Sequence, residues 1–258
     1  MANSLAGDLV GLALAAGEGL RLRPLTLLRP KPLCYVGDRT LLDWALDSLS
    51  PAASAIAVNA HHHSQLIADH LESVRATSDR RVHLEIESLQ GLGTAGAVGA
   101  LRPWIDGRGA LIVNADTYQR CDLRQFVSNW NGDQVSILTA TPLPFGPRSS
   151  VVASLLPWRL TCTLDPSPSG LWERVWKQEL ARGAIEAVYE ASPVIDCGTV
   201  RSYLQANLLW SGGESVIGVG AQVRGRVTRS VVWPGSMVGH SEHLVDAVRA
   251  GPRTVYLR

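Results

Sequence analysis

Short apolar runs alternate with helical patterns through the first 140 residues, and this alternation constrains the fold more than any other feature. Between the first two runs, apolar residues recur with helical spacing at positions 42, 45, 46 and 49. A strand–helix–strand–helix order is typical of a mainly parallel sheet with helices on both faces. The sequence therefore predicts an α/β fold with strands at residues 9–16, 55–59, 82–86, 111–114 and 135–140.

Capping residues and glycines mark the predicted helices. Ser64 and Asp122 stand directly before two helical patterns, where a side-chain oxygen can accept a hydrogen bond from the first turn. Two further helical patterns cover residues 171–182 and 200–210, and the second ends at a glycine pair. The stretch between residues 141 and 170 is rich in proline and serine, so its pattern defines no clear strands.

Composition and charge exclude several classes of protein. The chain has 258 residues, of which 46% are hydrophobic and 18% are charged, and this balance is that of an ordinary globular protein. A chain of this length needs neither a disulfide nor a structural metal in order to fold. The net charge of +1 lacks the basic excess that nucleic-acid-binding proteins show. Lys31 and Lys177 are the only lysines, so arginine carries most of the positive charge.

Cysteine spacing and hydropathy point to the cytoplasm. The four cysteines lie far apart without a Cys-x-x-Cys pair, which favours reduced thiols over a zinc or redox motif. The longest early apolar run, residues 9–16, is too short to span a bilayer, and no basic segment precedes it. We therefore expect a cytoplasmic protein with no nucleic-acid partner and no membrane association.

A short repeat occupies the C-terminal part of the chain. The segment 230–235 recurs sixteen residues later at 246–251, and a looser copy precedes it by fifteen residues at 215–220. β-Branched residues punctuated by glycine predict the coils of a β-solenoid, here about two to three turns. The alternative is a plain β-hairpin with a loop. Open strand edges in such a tail favour pairing with a second copy, which predicts a homodimer.

The loop after the first predicted strand carries the residues that point most clearly to a ligand. Gly17 and Gly19 allow the backbone to approach a phosphate closely, with amide donors pointing inward. The third glycine of a dinucleotide-binding loop and the lysine–serine pair of a P-loop are both absent. Arg21 and Lys31 follow instead. A glycine turn flanked by two cations predicts a triphosphate-binding loop.

Four segments together resemble the sugar-1-phosphate nucleotidyltransferases, in the manner of mannose-1-phosphate guanylyltransferase-like members. The first reads Ala-Ala-Gly-x-Gly-x-Arg-Leu-x-Pro-Leu-Thr and is followed by Pro-Lys. The others are Leu-Gly-Thr-Ala-Gly-Ala at 92–97, the strand that ends in Asp116, and Asp-Cys-Gly-Thr at 196–199. The resemblance implies a Rossmann-like nucleotidyltransferase domain with a mainly parallel mixed sheet over residues 1–213. It also implies a short left-handed β-helix tail over residues 214–258.

The resemblance implies a reaction and a metal. A sugar 1-phosphate would attack the α-phosphorus of a nucleoside triphosphate and release pyrophosphate, and this anionic nucleophile needs no general base. Cations must offset the meeting of two polyanions, so Arg21 would hold the departing pyrophosphate and Lys31 the reacting phosphates. Asp116 and Asp196 would bind Mg²⁺ together, because hard oxygen ligands suit that ion.

The nucleotide base is expected at the first loop and at the loop before residue 95. Glu87 can accept hydrogen bonds from guanine N1 and N2, whereas its carboxylate would repel the carbonyl edges of uracil. This favours GTP and leaves UTP and CTP open. The expected nucleotide-binding residues are Leu14, Ala15, Ala16, Gly17, Gly19, Glu87, Gly93 and Thr94.

The segment 141–193 departs from the family pattern. The family's Glu-Lys pair and its Asn-x-Gly, which contact the sugar phosphate and the sugar hydroxyls, are missing there. Two alternatives therefore stay open: a catalytically silent homologue that binds a nucleotide sugar and regulates a partner, or transfer to a non-sugar phosphate. The three histidines at 61–63 fit a surface loop better than a metal site, because consecutive residues cannot converge on one ion. The alternative is a loop histidine near the site, since some relatives carry an Asn-x-His that Asn59 and His61 resemble.

Overall fold

The computed structural model describes residues 9–78, 80–87 and 90–257. The described chain forms two compact units. The first unit contains residues 9–17, 44–115 and 119–194, apart from the undescribed positions, and the second contains 18–43, 116–118 and 195–257. The predicted domain bounds at residues 1 and 258 lie outside the described residues. The predicted division at residue 213 stays a prediction.

Strands and helices alternate along the first two thirds of the chain, and short strands dominate the remainder. The strands are β1 Leu9–Leu14, β2 Tyr35–Val36, β3 Arg39–Thr40, β4 Ile56–Ala60, β5 Val82–Ile86, β6 Gly109–Asn114, β7 Thr117–Tyr118, β8 Val135–Thr139, β9 Val151–Leu156, β10 Ile185–Tyr189, β11 Ile195–Asp196, β12 Val216–Ile217, β13 Gln222–Val223, β14 Arg226–Thr228, β15 Val231–Val232, β16 Met237–Val238, β17 His243–Val245, β18 Ala247–Ala250 and β19 Arg253–Tyr256. The α-helices are α1 Leu41–Leu49, α2 Ser64–Thr77, α3 Gly93–Ile105, α4 Leu123–Ser128, α5 Trp158–Thr161, α6 Lys177–Ala181 and α7 Val200–Trp210.

A seven-stranded sheet forms the centre of the first unit, in the order β10-β8-β9-β6-β1-β4-β5. Every pairing is parallel except those of β9, which runs antiparallel to both of its neighbours. The core against it includes Val10, Leu12, Ile112 and Ile137, all nearly or fully buried. The α/β fold with a mainly parallel mixed sheet is therefore confirmed.

The helix predictions hold with small changes. Asp122 caps α4 as predicted, its side chain accepting a hydrogen bond from the N–H of Arg124. The residue before α2 is His63 in a left-handed conformation, so Ser64 begins the helix instead of capping it. The predicted helix at 171–182 begins with a π-helical turn over Trp172–Trp176 and continues as α6.

The last part of the proline- and serine-rich stretch, residues 163–170, lies against one face of α3. A Cβ atom on Gly96 would stand 2.3 Å from the carbonyl oxygen of Ser167, and one on Gly99 would stand 2.2 Å from that of Asp165. Such distances are far below any real contact, so this face of α3 must lack side chains for the two backbones to meet. The glycines at 93, 96 and 99 thus make α3 smooth on the side that the segment covers.

The tail in the second unit consists of short parallel ladders. Val216 pairs with Val231 and Val231 with Val248, so successive coils are offset by fifteen and then seventeen residues. The ladders β13–β16 and β14–β17 repeat the same offsets. A small core of Val232, Val238, Leu244 and Ala247 lies inside them. The repeat therefore forms stacked coils, with a hairpin at the end between β18 and β19.

Hydrogen bonds join this tail to the loop that holds β2, within the second unit. The indole N–H of Trp233 donates to the hydroxyl of Tyr203 (2.9 Å), and that hydroxyl donates to the carbonyl of Tyr35 (2.5 Å). The Arg29 guanidinium lies 4.9 Å from the ring of Tyr35 and 5.0 Å from that of Trp233. The tail thus supports the segment that precedes β2.

Within the part of the chain that the structure describes, no helix combines the length and the apolar character that crossing a membrane would require.

Candidate active site

Two aspartates of the second unit are held side by side by a short antiparallel ladder. β7 pairs with β11, which sets Asp196 opposite Thr117. The N–H of Cys197 donates to the carbonyl of Asp116 at 3.1 Å, so the backbones next to both aspartates are fixed to each other. The two carboxylates that sequence reasoning paired across eighty residues therefore belong to one local structure.

Lys31 lies between these two carboxylates. Its Nζ is 2.6 Å from Asp116 Oδ2 and 2.8 Å from Asp196 Oδ1, and its side chain is only 6% exposed. Burial by itself lowers the pKa of Lys31, but the attraction of Asp116 and Asp196 outweighs burial and raises the pKa above 10.5. Lys31 is therefore positively charged at neutral pH. The structure brings together three residues that the sequence predicted to act together.

Arg21 joins the same cluster from a more exposed position. It lies in a single 3₁₀ turn, Leu20–Leu22, and its Nη2 is 3.7 Å from Asp196 Oδ2. Its side chain is 73% exposed, so most of the guanidinium is free to meet an anion. A Cβ on Gly198 would stand 2.8 Å from Arg21 Nη2. Glycine at 198 therefore leaves room for the arginine beside the carboxylate.

The turn before Arg21 needs glycine for a steric reason. Gly19 has a φ of +64°, and a Cβ there would stand 2.9 Å from the Cγ2 of Thr26. The Thr26 hydroxyl donates to the carbonyl of Gly19 at 3.0 Å and closes the turn. Gly17 differs, because a Cβ there would meet nothing within 4 Å. Gly17 thus leaves open space beside the backbone, as a close-approaching ligand requires.

Asp116 and Asp196 supply the hard oxygen donors that a magnesium ion prefers. Both carboxylates already converge on one positive charge, the ammonium of Lys31, and both remain partly exposed. The described residues contain no group of three or more histidine, cysteine, aspartate or glutamate side chains that could hold a metal. Two carboxylates leave most positions of an octahedral ion to water or substrate oxygens, which is how Mg²⁺ is commonly bound.

The first unit contains the residues expected around the base. Leu14 ends β1, and its carbonyl accepts from the N–H of Ala115 at 2.9 Å. The N–H of Ala15 donates to Asn59 Oδ1 at 2.8 Å, and Ala16 follows half-buried. The N–H of Ala15 is therefore engaged by Asn59 and offers no hydrogen bond to a ligand in this arrangement.

Glu87 is engaged within the protein on both oxygens. Its Oε1 accepts from Asn59 Nδ2 at 2.6 Å, and its Oε2 accepts from the N–H of Leu92 at 2.7 Å. The residue is 5% exposed. Direct contact of Glu87 with a base stays a prediction. Sequence reasoning did not predict that Asn59 and Leu92 bond to Glu87. The available signals were the Asn-x-His match at Asn59 and His61, and a polar Asn59 near the end of an apolar strand.

The loop before α3 is also held from its other side. Gly93 has a φ of +68°, and a Cβ there would stand 2.6 Å from the carbonyl oxygen of Ser169. The Thr94 hydroxyl accepts from the N–H of Leu171 at 2.8 Å. The N–H of Ser169 donates to the carbonyl of Leu92, and its own carbonyl accepts from the N–H of Ala95. The predicted base loop is thus fixed by the segment that follows residue 163.

His61 contributes to the same network. Its Nδ1 lies 2.7 Å from the backbone carbonyl of Glu87, so Nδ1 carries the hydrogen and donates it. This contact gives His61 a role that the surface-loop interpretation of residues 61–63 did not include. The four cysteines are free, and burial raises the pKa of the Cys34 thiol to about 12, so Cys34 is not a nucleophile at neutral pH.

Comparisons with known proteins identify the family of this chain. The sequence profile of the family described as "Nucleotidyl transferase" matches residues 10–146. The N-acetylmuramate alpha-1-phosphate uridylyltransferase of Caulobacter vibrioides is 38% identical over 91 residues, which is 34% of this chain and 38% of that protein. The mannose-1-phosphate guanylyltransferase catalytic subunit beta of Dictyostelium discoideum is 26% identical over 138 residues, which is 52% of this chain and 38% of that protein. The alignments thus span well under half the length of these two relatives.

A solved structure shares the fold. A provisionally named glucose-1-phosphate thymidylyltransferase from Bacillus anthracis superposes with a TM-score of 0.63 at 19% identity. The superposition covers 78% of this chain and 94% of that chain. The family profile covers more than half of the chain. It includes the glycine-rich loop, Lys31, Glu87 and Asp116. On these grounds the chain belongs to the nucleotidyl transferase family.

Proposed function

We propose that this protein transfers a nucleotidyl group from a nucleoside triphosphate to a sugar 1-phosphate, in a magnesium-dependent reaction. The observation that carries the proposal is Lys31, which is held between the carboxylates of Asp116 and Asp196 at 2.6 and 2.8 Å. A charged lysine beside two converging carboxylates, with an exposed arginine next to them, suits a reaction between two polyanions.

The proposed chemistry follows from these charges. An oxygen of the acceptor phosphate attacks the α-phosphorus, the bond from that phosphorus to the bridging oxygen breaks, and pyrophosphate leaves. The nucleophile is already an anion, so the cluster needs no general base. Lys31 would offset charge on the reacting phosphates, and the exposed guanidinium of Arg21 would hold the departing pyrophosphate with a forked donor. Bound by Asp116 and Asp196, Mg²⁺ would neutralise phosphate charge.

The base is proposed to lie along Leu14, Ala15, Ala16 and Gly17, with Gly19, Glu87, Gly93 and Thr94 completing the nucleotide site. GTP was expected because Glu87 can accept from guanine. Both of its oxygens already accept hydrogen bonds within the protein, so a guanine N–H would share them with Asn59 and Leu92. UTP is therefore the second candidate, supported by the 38% identity to a uridylyltransferase. CTP stays open.

The remaining expectations join this proposal. We propose that residues 214–258 form a left-handed β-helix tail on a catalytic domain of residues 1–213. The parallel ladders with offsets of fifteen and seventeen residues support the coils. A homodimer through the tail, which sequence reasoning favoured, and a cytoplasmic location stay predictions.

A pyrophosphate-release assay tests the proposal. We expect turnover with one of the four nucleoside triphosphates, Mg²⁺ and a member of a panel of sugar 1-phosphates. Turnover with phosphocholine or another non-sugar phosphate, and with no sugar phosphate, would favour the non-sugar alternative. Tight nucleotide binding without any turnover would favour the regulatory homologue. The absence of both binding and turnover would overturn the proposal.

A further inference from the structure

A chain of hydrogen bonds crosses the end of the sheet in the first unit. Asn59 Oδ1 accepts from the N–H of Ala15 (2.8 Å), and Asn59 Nδ2 donates to Glu87 Oε1 (2.6 Å). Glu87 Oε2 then accepts from the N–H of Leu92 (2.7 Å). One end of this chain is the turn after β1, and the other end is the residue directly before α3. Two side chains thus connect the two loops that are expected to frame the base.

Burial makes this connection costly to break. Asn59 is 3% exposed and Glu87 is 5% exposed. A buried carboxylate is tolerated when donors satisfy its oxygens, and a buried amide is tolerated when both of its ends are paired. Each oxygen of Glu87 has one donor, and each end of the Asn59 amide has one partner. Removing either side chain would therefore leave unpaired groups inside the protein.

The other side of the same loop is fixed independently. Ser169 bonds to the carbonyl of Leu92 and to the N–H of Ala95, both at 2.9 Å. The backbone of Leu92 is therefore held by Ser169 through its carbonyl and by Glu87 through its N–H. His61 holds the backbone carbonyl of Glu87 as well. The Glu87 side chain thus holds the N–H of Leu92, and Ser169 holds its carbonyl. Both contacts fix the backbone directly before Gly93.

We propose that Asn59 and Glu87 form a positioning pair that sets the spacing between the turn at Ala15 and the loop at Leu92–Gly93, and thereby sets nucleotide affinity and base preference. The inference rests on the proposed function, and it deepens it. Glu87 acts on the base through the backbone that it holds, and not by touching the base. Asn59, which is not among the expected nucleotide-binding residues, is as necessary as Glu87.

An exchange of the two polar types tests the pair. In Asn59→Asp, two carboxylates face each other. In Glu87→Gln, the amide must present its NH₂ either to Asn59 Nδ2 or to the N–H of Leu92, so a donor meets a donor. In the double variant N59D/E87Q, the aspartate still accepts from Ala15. It also accepts from the glutamine NH₂, and the glutamine carbonyl still accepts from Leu92. Every hydrogen bond is restored with one direction reversed.

Direct binding of each of the four nucleoside triphosphates in the presence of Mg²⁺ supplies the first readout. We expect each single variant to bind the preferred nucleotide about tenfold to a hundredfold more weakly, and the double variant to recover to within about threefold of the native chain. KM should follow binding, and kcat should change by less than about threefold. The control is Glu186→Gln, which removes an exposed carboxylate of the same unit and should leave binding unchanged.

Amide hydrogen exchange at Leu92 supplies the second readout and needs no substrate. The Leu92 amide should exchange faster in both single variants than in the native chain. Its exchange rate should return to the native value in the double variant. If the double variant regains slow exchange but binds as poorly as the singles, Glu87 reads the base directly and the inference is wrong. It is equally wrong if the single variants bind normally. If a single variant fails to fold, the double variant and the native chain still decide between these outcomes. A native chain that binds none of the four nucleotides would instead overturn the proposed function.

Discussion

The two units of this protein balance buried charge in opposite ways. In the second unit, the ammonium of Lys31 faces two carboxylates that are themselves partly exposed, and Arg21 stands beside them almost free. In the first unit, the buried carboxylate of Glu87 faces a side-chain amide and a backbone N–H, and each of its oxygens accepts a hydrogen bond within the protein. The open arrangement suits a charged ligand. The closed arrangement suits the positioning of backbone.

We expect the largest effect from removing either carboxylate of the open arrangement in the second unit. Asp116→Ala and Asp196→Ala should each lower kcat by about a thousandfold or more, because each removes half of the proposed magnesium site. Pyrophosphate release at saturating Mg²⁺ measures this. The matched control is Asp246→Asn, which changes an aspartate of the same unit that is paired with Arg229. Metal-dependent activity that survives both alanine changes would remove the pair from the mechanism.

Replacing the shared cation should have the next largest effect. Lys31→Met should lower kcat/KM by about a hundredfold, because an apolar side chain cannot offset phosphate charge and leaves two carboxylates facing each other. Lys177→Met is the control, since it changes the one other lysine of the chain. Steady-state kinetics of both variants test the prediction. An equal kcat/KM in the two variants would argue against a role for Lys31.

The packing of residues 163–170 against α3 in the first unit can be tested by measuring stability alone. Gly96→Ala should lower the free energy of unfolding by about 2 kcal/mol, because its Cβ would stand 2.3 Å from the Ser167 carbonyl oxygen and the backbone there must shift. Gly146→Ala is the control, with nothing within 4 Å of the added atom. Denaturant unfolding measures both. If the two variants were equally stable, residues 163–170 would not lie against α3 as described.

The smallest expected effect sharpens the role of the exposed arginine. Arg21→Lys should lower kcat/KM by about tenfold, because a point charge replaces a planar forked donor. Arg23→Lys, two residues along the same loop and also exposed, should stay within about twofold of the native rate. The comparison of the two variants in the same assay is decisive. A larger loss of kcat/KM in Arg23→Lys would mean that Arg23, and not Arg21, holds the departing pyrophosphate.

Residues that carry charge were the most predictable part of the site. Arg21, Lys31, Asp116 and Asp196 stand in recognisable segments, and the structure brings all four together. The hydrogen bonds of Asn59 were not predictable, because the Asn-x-His match with His61 marks the residue and does not reveal which groups it bonds to. For the same reason, Glu87 was read as open to a ligand when its oxygens are bonded within the protein.

The fold shows the same division. The alternation of apolar runs predicted the parallel strands, since burial on both faces leaves a clear periodic signal. The antiparallel β9 was not predicted, although residues 151–158 are apolar. The direction of a strand is set by the neighbouring strands with which it pairs, here β6 and β8, and its own residues do not reveal it. The packing of residues 163–170 on α3 depends on backbone atoms meeting glycines, and such contacts leave little trace in side-chain pattern.

The hydrogen bonds from Trp233 through Tyr203 to Tyr35 have a practical consequence for engineering this chain. A truncation after residue 213 would delete the indole donor and one face of the cation–π contact around Arg29, only two positions before Lys31. A chimera that borrows another C-terminal segment would need an equivalent of this tryptophan to keep its contacts with Tyr203 and Arg29. Residues 214–257 therefore contribute directly to the packing around Tyr35 and Arg29.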